Sequence, residues 1–214
     1  MYARILMLCL LLAGTGGLAA RDLSMTSPEG LIQELPRQEM LVEAMPVLER
    51  AGFELTPVAR FQITGRVLGQ QVYDADTVAE LSPVDIALGW GAMSDSRVLS
   101  QIEMSQGERF FYWRTERAPV PRSTIEQYST NVHAIPATPE IERQLRMIRR
   151  DDVVRISGLL VNAYRPADGY RWKTSLVRDD TGDGACEIVY VTGLQIEPRL
   201  PQGTYAQGRE ANVN

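Results

Sequence analysis

Two segments of this chain are predicted β-strands with an internal glycine, and the first of them alternates apolar and polar residues. The first, Phe61-Gln-Ile-Thr-Gly-Arg-Val-Leu68, contains Gly65, and the second, from Val153 to Tyr164, contains Gly158. Alternation with a period of two is typical of a half-buried β-strand. A glycine inside such a strand indicates a bulge or a tight bend, which are features of barrels. The two segments therefore favour a curved, β-rich domain.

Other segments complete the predicted fold. A strand or hairpin with a turn at Gln106-Gly107 is predicted from Ile102 to Trp113, and further strands are predicted at 131–136, 172–177 and 186–196. The best helix begins at Thr138-Pro139-Glu140 and ends near Arg150, ahead of a late strand. We therefore predict an α+β fold that is mainly β, a small, partly open OB-like barrel with an inserted helix. A generic α+β sandwich is the alternative.

The β-rich domain is predicted to occupy residues 59–197, with further segments before and after it. Residues 21–58 are predicted to form an N-terminal helical arm, because Ser27-Pro28-Glu29 combines residue types that begin helices. A second helical pattern in the arm runs from Arg37 to Ala51, and Gly52 is its predicted end. The Gly-, Pro- and Gln-rich tail at 198–214 is predicted to be disordered.

The first twenty residues have the three-part layout of a secretory signal peptide. A basic start, Met1-Tyr-Ala-Arg4, precedes an unbroken apolar run from Ile5 to Ala13 and small residues that end in Ala19 and Ala20. The apolar run is shorter than the roughly 20 residues that span a bilayer. We therefore predict cleavage after Ala19 or Ala20 and a periplasmic or secreted protein, with no transmembrane span in the mature chain.

The predicted mature chain is acidic. Loss of Arg4 leaves 21 basic and 27 acidic residues, a net charge of −6. A chain without a basic excess is a poor match for the phosphates of a nucleic acid. The expected partner is therefore an unknown envelope protein or a small ligand rather than a nucleic acid, and no cofactor is predicted.

Four stretches resemble the signature of a family of uncharacterised exported bacterial proteins. They are LSPVDIALGWGAMSD at 81–95, STNVHAIP at 129–136, WKTSLVR at 172–178 and DTGDGACE at 180–187. Together they span most of residues 60–196. The resemblance implies a single domain across that range, and it carries no known activity.

The candidate catalytic residues are His133, Cys186 and Asp85. His133 is the only histidine, and histidine is the side chain best suited to acid–base catalysis near neutral pH. Cys186 would be a nucleophile if His133 approached it, with Asn131 or Asp85 orienting the ring, as in thiol hydrolases. The alternative roles are structural. His133 would be hydrogen-bonded beside Asn131, and Cys186, which precedes a strand pattern, would be buried as a small apolar residue.

The candidate ligand-binding residues centre on Trp90. Gly89-Trp90-Gly91 follows a predicted short helix that begins at Ser82-Pro83-Val84-Asp85 and ends near Gly89. Trp90 is interpreted either as a plug at the end of the barrel or as the floor of a binding site. The best candidate surface combines polar and aromatic residues expected in loops: Trp90, Asp95, Asn131 and His133.

Two charged clusters are candidate ion sites. Asp179-Asp-Thr-Gly-Asp-Gly184 is similar to the start of a calcium loop, but Tyr190 stands where the bidentate Glu should be, so no metal site is predicted. A patch of arginines lies on and after the best helix, and it is either a solvated helix face or a site for an anionic partner: Arg143, Arg146, Arg149, Arg150 and Arg155.

Two functional hypotheses result. The first is an exported, non-enzymatic binding or envelope-associated domain, because no complete catalytic constellation can be assembled from the sequence. The second is a hydrolase-type enzyme that uses His133 with Cys186 or with carboxylates such as Asp85 and Asp95. A His133 ring in a concave pocket near one of these groups would favour the enzyme, whereas a packed ring would favour the binding domain.

Overall fold

The structure is a computed structural model that describes residues 32–177 and 186–197. The predicted signal peptide, the helix start at Ser27, the acidic turn at 179–184 and the tail lie outside the described residues. The described part is mainly β, and its ten strands are β1 (Arg37–Met40), β2 (Leu48–Arg50), β3 (Phe53–Val72), β4 (Val84–Gly89), β5 (Glu103–Gly107), β6 (Phe110–Arg114), β7 (Ser129–Pro136), β8 (Val153–Arg165), β9 (Tyr170–Trp172) and β10 (Glu187–Glu197).

The helices of the described part are short. They are α1 (Ser96–Leu99), α2 (Arg122–Gln127) and α3 (Pro139–Met147), with one turn of 3-10 helix at Gly91–Ser94. The Thr138 hydroxyl caps α3 by accepting a hydrogen bond of 3.2 Å from the Ile141 amide. Within residues 32–177 and 186–197, no helix is long and apolar enough to cross a membrane.

Five strands pair in a partly ring-like sheet, in the order β3-β4-β7-β10-β8 and back to β3. The ring closes because β3 is 20 residues long. Its residues 54–66 pair with β8, and its residues 66–72 pair with β4. The pair β7–β10 is parallel, and the other four pairs are antiparallel. β1 and β2 pair with β3, and β9 pairs with β8, outside the ring.

The long strand β3 bends to serve both partners. Its register shifts once between Pro57 and Ala59, opposite β8, and again between Val67 and Gly69, opposite β4. The bend predicted at Gly65 therefore lies within a few residues of an observed shift. Gly65 itself serves close packing, because a Cβ there would lie 3.1 Å from the Cβ of Leu88.

The core fills the inside of the ring. Alternate residues of β4 and β7 point into it, and α3 adds Leu145 while Ile148, just after the helix, is also buried there. A second apolar cluster packs on the outer side of the sheet, where the segment between β4 and β7 folds back over the strands. This segment holds α1, α2 and a separate two-stranded sheet, the hairpin β5–β6.

Two of the predicted helices are wrong. The pattern from Arg37 to Ala51 forms the strands β1 and β2, and Ala51 and Gly52 have φ values of 49° and 74° in the tight turn between β2 and β3. Positive φ at both central residues is what a two-residue hairpin turn needs, so Gly52 serves a turn and not a helix end. The boundary expected between arm and domain at residue 58 falls inside β3.

The short helix predicted from Ser82 is also wrong, because Val84–Gly89 is the strand β4. Pairing with β3 and β7 on both sides overrides the local helix signal. Val84, Ile86 and Leu88 enter the core, as period-two alternation requires. Asp85 consequently lies on the outer face of the sheet.

Gly158→Ala is expected to destabilise the ring at the β8–β10 pair. A Cβ at this position would lie inside contact distance of the Tyr190 carbonyl oxygen on β10, and a backbone atom cannot swing away. We expect a loss of about 1–3 kcal/mol in the free energy of unfolding, measured by urea denaturation. The control is Gly107→Ala, where a Cβ meets no atom within 4 Å. Equal stability of the two variants would contradict the close approach.

Candidate functional site

Strand register brings Asp85 and His133 together. The two residues are direct partners in the antiparallel pair β4–β7. Their neighbours point into the core, so both side chains lie on the outer face of the sheet. His133 Nδ1 lies 2.9 Å from Asp85 Oδ1, although the two are not aligned for a hydrogen bond. The side chains are only 3% and 1% exposed, so the outer face is covered at this point.

Arg109 completes a cluster of charges around Asp85. Its Nη1 donates to Asp85 Oδ1 at 3.0 Å and to the Ser82 carbonyl at 2.8 Å. Its Nε and Nη2 donate to the two oxygens of Asp76 at 2.7 and 2.8 Å, which is the bidentate geometry that favours arginine. The guanidinium carbon lies 3.7 Å from the centre of the Tyr73 ring. We call Asp76, Asp85, Arg109 and His133 the charge cluster.

The hairpin β5–β6 delivers Arg109 to this position. Its two-residue turn consists of Glu108 and Arg109, with φ values of 53° and 70°. Such φ values cost energy in residues other than glycine, and they persist where surrounding contacts hold them. Here the Arg109 amide donates to the Tyr73 hydroxyl at 3.1 Å, in addition to the contacts of the guanidinium.

Asp76, Arg109 and the neighbouring Tyr73 have pKa values that differ from their ordinary ones. Burial alone would raise the pKa of Asp76, but the hydrogen bonds from Arg109 and from the Val78 amide outweigh burial and hold that pKa below its ordinary value. Burial would lower the pKa of Arg109, but Asp76 and Asp85 together raise it. The pKa of Tyr73 is raised, first by burial and then by the charge of Asp85. The guanidinium therefore stays charged between two carboxylates.

Side chains from the hairpin and from β9 also contact this face. The Trp172 ring packs on His133, with 4.5 Å between ring centres. The Asn131 amide connects the sheet to the hairpin, because its Oδ1 accepts from Gln106 at 2.9 Å and its Nδ2 donates to the Arg109 carbonyl at 3.3 Å. His133 is consequently packed within the protein and does not line an open pocket.

Cys186 lies near the charge cluster, just before β10, and is partly exposed. Its sulfur is 3.9 Å from Asn131 Nδ2, and its carbonyl accepts from the Ser175 amide at 3.0 Å. The close neighbours of His133 are Asp85 and Trp172. The structure therefore brings the predicted catalytic residues into one region, and the use of Cys186 as a nucleophile stays a prediction.

The predicted binding surface around Trp90 is not an exposed loop surface. Trp90 is 2% exposed and belongs to the core of the ring, as the plug interpretation predicted. Asp95 is buried and caps α1 by accepting from the Arg97 amide at 2.9 Å. Asn131 and His133 lie buried on strand β7. Trp90 thus packs in the core and Asp95 caps a helix, although the sequence suggested both side chains for ligand binding.

A cleft of about 420 Å³ lies between the end of β3, the hairpin β5–β6 and the turn after α3. Its lining is apolar at Leu68, Met104 and Phe111 and basic at Arg149 and Arg150. Gln106 is shared by the two regions, because it lines the cleft and donates to Asn131 on the sheet. The hairpin therefore forms a wall of the cleft and also supplies Arg109 to the charge cluster.

Sequence reasoning missed Arg109, Asp76 and the cleft. The hairpin was predicted, but its turn was placed at Gln106-Gly107, ahead of the observed turn at Glu108 and Arg109. No local signal in the sequence connects this turn with Asp76 and Asp85, which lie more than twenty residues away.

Comparison of the chain with protein families, with curated proteins and with solved structures finds no match. In the described ranges, 32–177 and 186–197, no three His, Cys, Asp or Glu side chains converge as a metal site.

Arg109→Gln is expected to destabilise the protein by about 3–5 kcal/mol, because it leaves the Asp85 carboxylate buried without its cationic partner. The matched control is Arg114→Gln on the same hairpin. Arg114 pairs with Glu103, and both side chains are largely exposed, so a loss below about 1 kcal/mol is expected. Free energies of unfolding from urea titrations provide the comparison, and similar losses in both variants would contradict a buried, paired Asp85.

Asp76→Asn is expected to weaken the dependence of stability on acid pH. A carboxyl whose pKa is lowered by folding adds stability above its unfolded pKa of about 3.9, and this stability is lost as the pH falls through the lower folded value. Wild-type stability should therefore fall between about pH 5 and pH 3 by more than that of the variant. Urea midpoints across this range measure the difference, and parallel curves would argue against a charged Asp76–Arg109 pair.

Proposed function

We propose that this protein is an exported binding domain with an OB-type barrel, which takes a ligand in the cleft beside the hairpin β5–β6 and does not use His133 for catalysis. The observation that carries the proposal is the cleft itself. It is formed by ordered elements of the fold, it combines apolar and polar side chains, and its volume lies in the range of about 300–1,000 Å³ that is typical of ligand pockets.

The OB-type assignment is supported by the order of the strands. A small five-stranded, partly open Greek-key barrel is the hallmark of that fold. Here five strands follow one another around a ring, and the long first strand, β3, contacts both the second strand, β4, and the fourth, β8. The helix α3 lies between the third and fourth strands of the ring, β7 and β8, and packs on its core.

Export is supported by the basic start, the apolar run and the small residues at positions 1–20. A protein with this leader is cleaved and released into the periplasm or outside the cell. Its ligand would then be an extracytoplasmic small molecule or part of an envelope component.

The packing of His133 supports binding over catalysis. A general base needs to reach the proton that it removes, through direct contact or one water molecule. The His133 ring is covered by Trp172 on β9, and its carboxylate neighbour Asp85 is already paired with Arg109. Catalysis would require the hairpin or β9 to move away from the sheet.

A hydrolase is the second candidate function, and the observation that favours it is the short Asp85–His133 contact of 2.9 Å. A carboxylate beside histidine is the orienting pair of many hydrolases. Hydrolysis of an ester or amide probe by the purified protein, abolished by His133→Ala, would favour this candidate.

The binding proposal is tested with uncharged aromatic fragments, namely benzyl alcohol, benzamide and 4-phenylbutan-1-ol. In two-dimensional NMR spectra of the purified protein, we expect shifts at the backbone amides of residues 68–71 and 104–106. Phe111→Ala should weaken binding by about tenfold, because the ring supplies apolar contact area in the cleft.

The matched control is Tyr112→Ala, whose ring lies on the other face of β6, next to Phe110. It should leave fragment binding unchanged. Fragments that shift only resonances outside the cleft, or that bind both variants equally, would contradict the proposal.

A further inference from the structure

Two arginines, Arg149 and Arg150, stand at the basic side of the cleft. The side chains of Arg149 and Arg150 are exposed and make no hydrogen bond or ion pair with any residue in the part of the chain that the structure describes. Their neighbours are different. Arg143 pairs with Glu140, Arg146 with Glu142, and Arg66 with Asp151.

The carboxylates nearest to these arginines in the chain are already engaged. Asp151 accepts from Nε and Nη2 of Arg66 at 3.1 and 2.7 Å. Asp152 accepts from the Arg149 backbone amide at 2.8 Å. The protein as a whole is acidic, yet it leaves the two positive charges beside the cleft uncompensated by these side chains.

The turn that carries the two arginines is held in place. Ile148, immediately before them, is 1% exposed in the core of the ring. After them, the Asp151 amide donates to the Val67 carbonyl and the Val67 amide donates to the Asp152 carbonyl, both at 2.8 Å. Arg149 and Arg150 therefore extend from a backbone that is anchored on both sides, next to the end of β3.

Attraction to the C-terminus of α3 explains the positions of Arg149 and Arg150 less well than an anionic ligand does. Cations interact favourably with the carbonyl end of a helix, and Arg146 already lies in the last turn of α3. One terminal carbonyl, that of Leu145, also accepts a hydrogen bond from Gln70 at 2.7 Å. The end of α3 thus already has Arg146 and Gln70 as partners. The interaction of its dipole with a cation is small.

We infer that the cleft binds a small amphiphilic anion, with its carboxylate or phosphate group at Arg149 and Arg150 and its apolar part against Met104 and Phe111. Guanidinium groups match the geometry of both anions through paired hydrogen bonds. A volume of about 420 Å³ suits a small molecule. The inference rests on the proposed binding function and names the chemistry of the ligand in the same cleft.

The test compares probes that differ in charge. 4-Phenylbutyrate and phenyl phosphate supply the two anionic groups, 4-phenylbutan-1-ol is the neutral counterpart of the first, and acetate lacks the apolar part. In NMR titrations of the purified protein, we expect 4-phenylbutyrate to bind about tenfold more tightly than the alcohol, which corresponds to about 1.4 kcal/mol. The stronger of the two aromatic anions identifies the preferred acid, and acetate should bind weakly.

The double variant Arg149→Gln/Arg150→Gln assigns the charge effect to the proposed residues. It should bind 4-phenylbutyrate and the alcohol with nearly equal affinity. Because both side chains are exposed and unpaired among the described residues, the thermal midpoint should match that of the wild type. The control Arg143→Gln removes an arginine of α3 that does not line the cleft and should preserve the tenfold preference.

The outcomes separate this inference from the proposed function. Binding of the alcohol in the cleft with no preference for either aromatic anion would overturn the anion inference and support the binding function. A preference for the anions that survives in the double variant would also overturn the assignment to Arg149 and Arg150. If none of the aromatic probes shifts residues 68–71, both the inference and the proposed function fail.

Discussion

The double pairing of β3 is the constraint on which the rest of the structure depends. One strand of 20 residues must follow β8 for most of its length and β4 at its end. A straight strand could not do both, so the register shifts at Pro57/Ala59 and Val67/Gly69 are part of closing the ring. The second shift also directs residues 68–71 along the edge of the cleft. Closure of the core and formation of the cleft therefore have the same origin.

The charge cluster is best understood as a device that positions the hairpin β5–β6. Buried ion pairs gain little net stability, because desolvation offsets much of their attraction, but removing one partner is costly. A docked hairpin without Arg109 would leave Asp85 without its cationic partner, whereas in the observed docking Arg109 bonds Asp85 Oδ1, both oxygens of Asp76 and the Ser82 carbonyl together. Other placements of the hairpin are thus disfavoured, and the wall of the cleft is held in one position.

The sequence predicted those parts of the fold that are determined by local patterns. β7, β8, β10 and α3 were placed close to their observed bounds, because alternation or helical periodicity is unambiguous there. The helix predicted over residues 37–51 is wrong. Met40, Leu41, Met45 and Leu48 are spaced nearly as in a helix, but pairing with β3 makes residues 37–40 and 48–50 strands. The sequence names Asp85 as a residue that would orient His133, and strand register makes the two direct partners, while their catalytic use stays a prediction. The contacts of Arg109 depend on docking of the hairpin, which no local pattern encodes.

The charge cluster and the cleft are separate regions, and they differ in whether their polar groups are accessible to a ligand. The residues that look catalytic in the sequence, Asp85 and His133, lie buried under Trp172 and Arg109, where a ligand does not reach them. Arg149 and Arg150 look like ordinary surface residues, yet they lie beside an apolar wall and no side chain of the described ranges pairs with their guanidinium groups. Binding needs groups with unsatisfied capacity in an accessible place, and among the described residues the cleft provides these and the charge cluster does not.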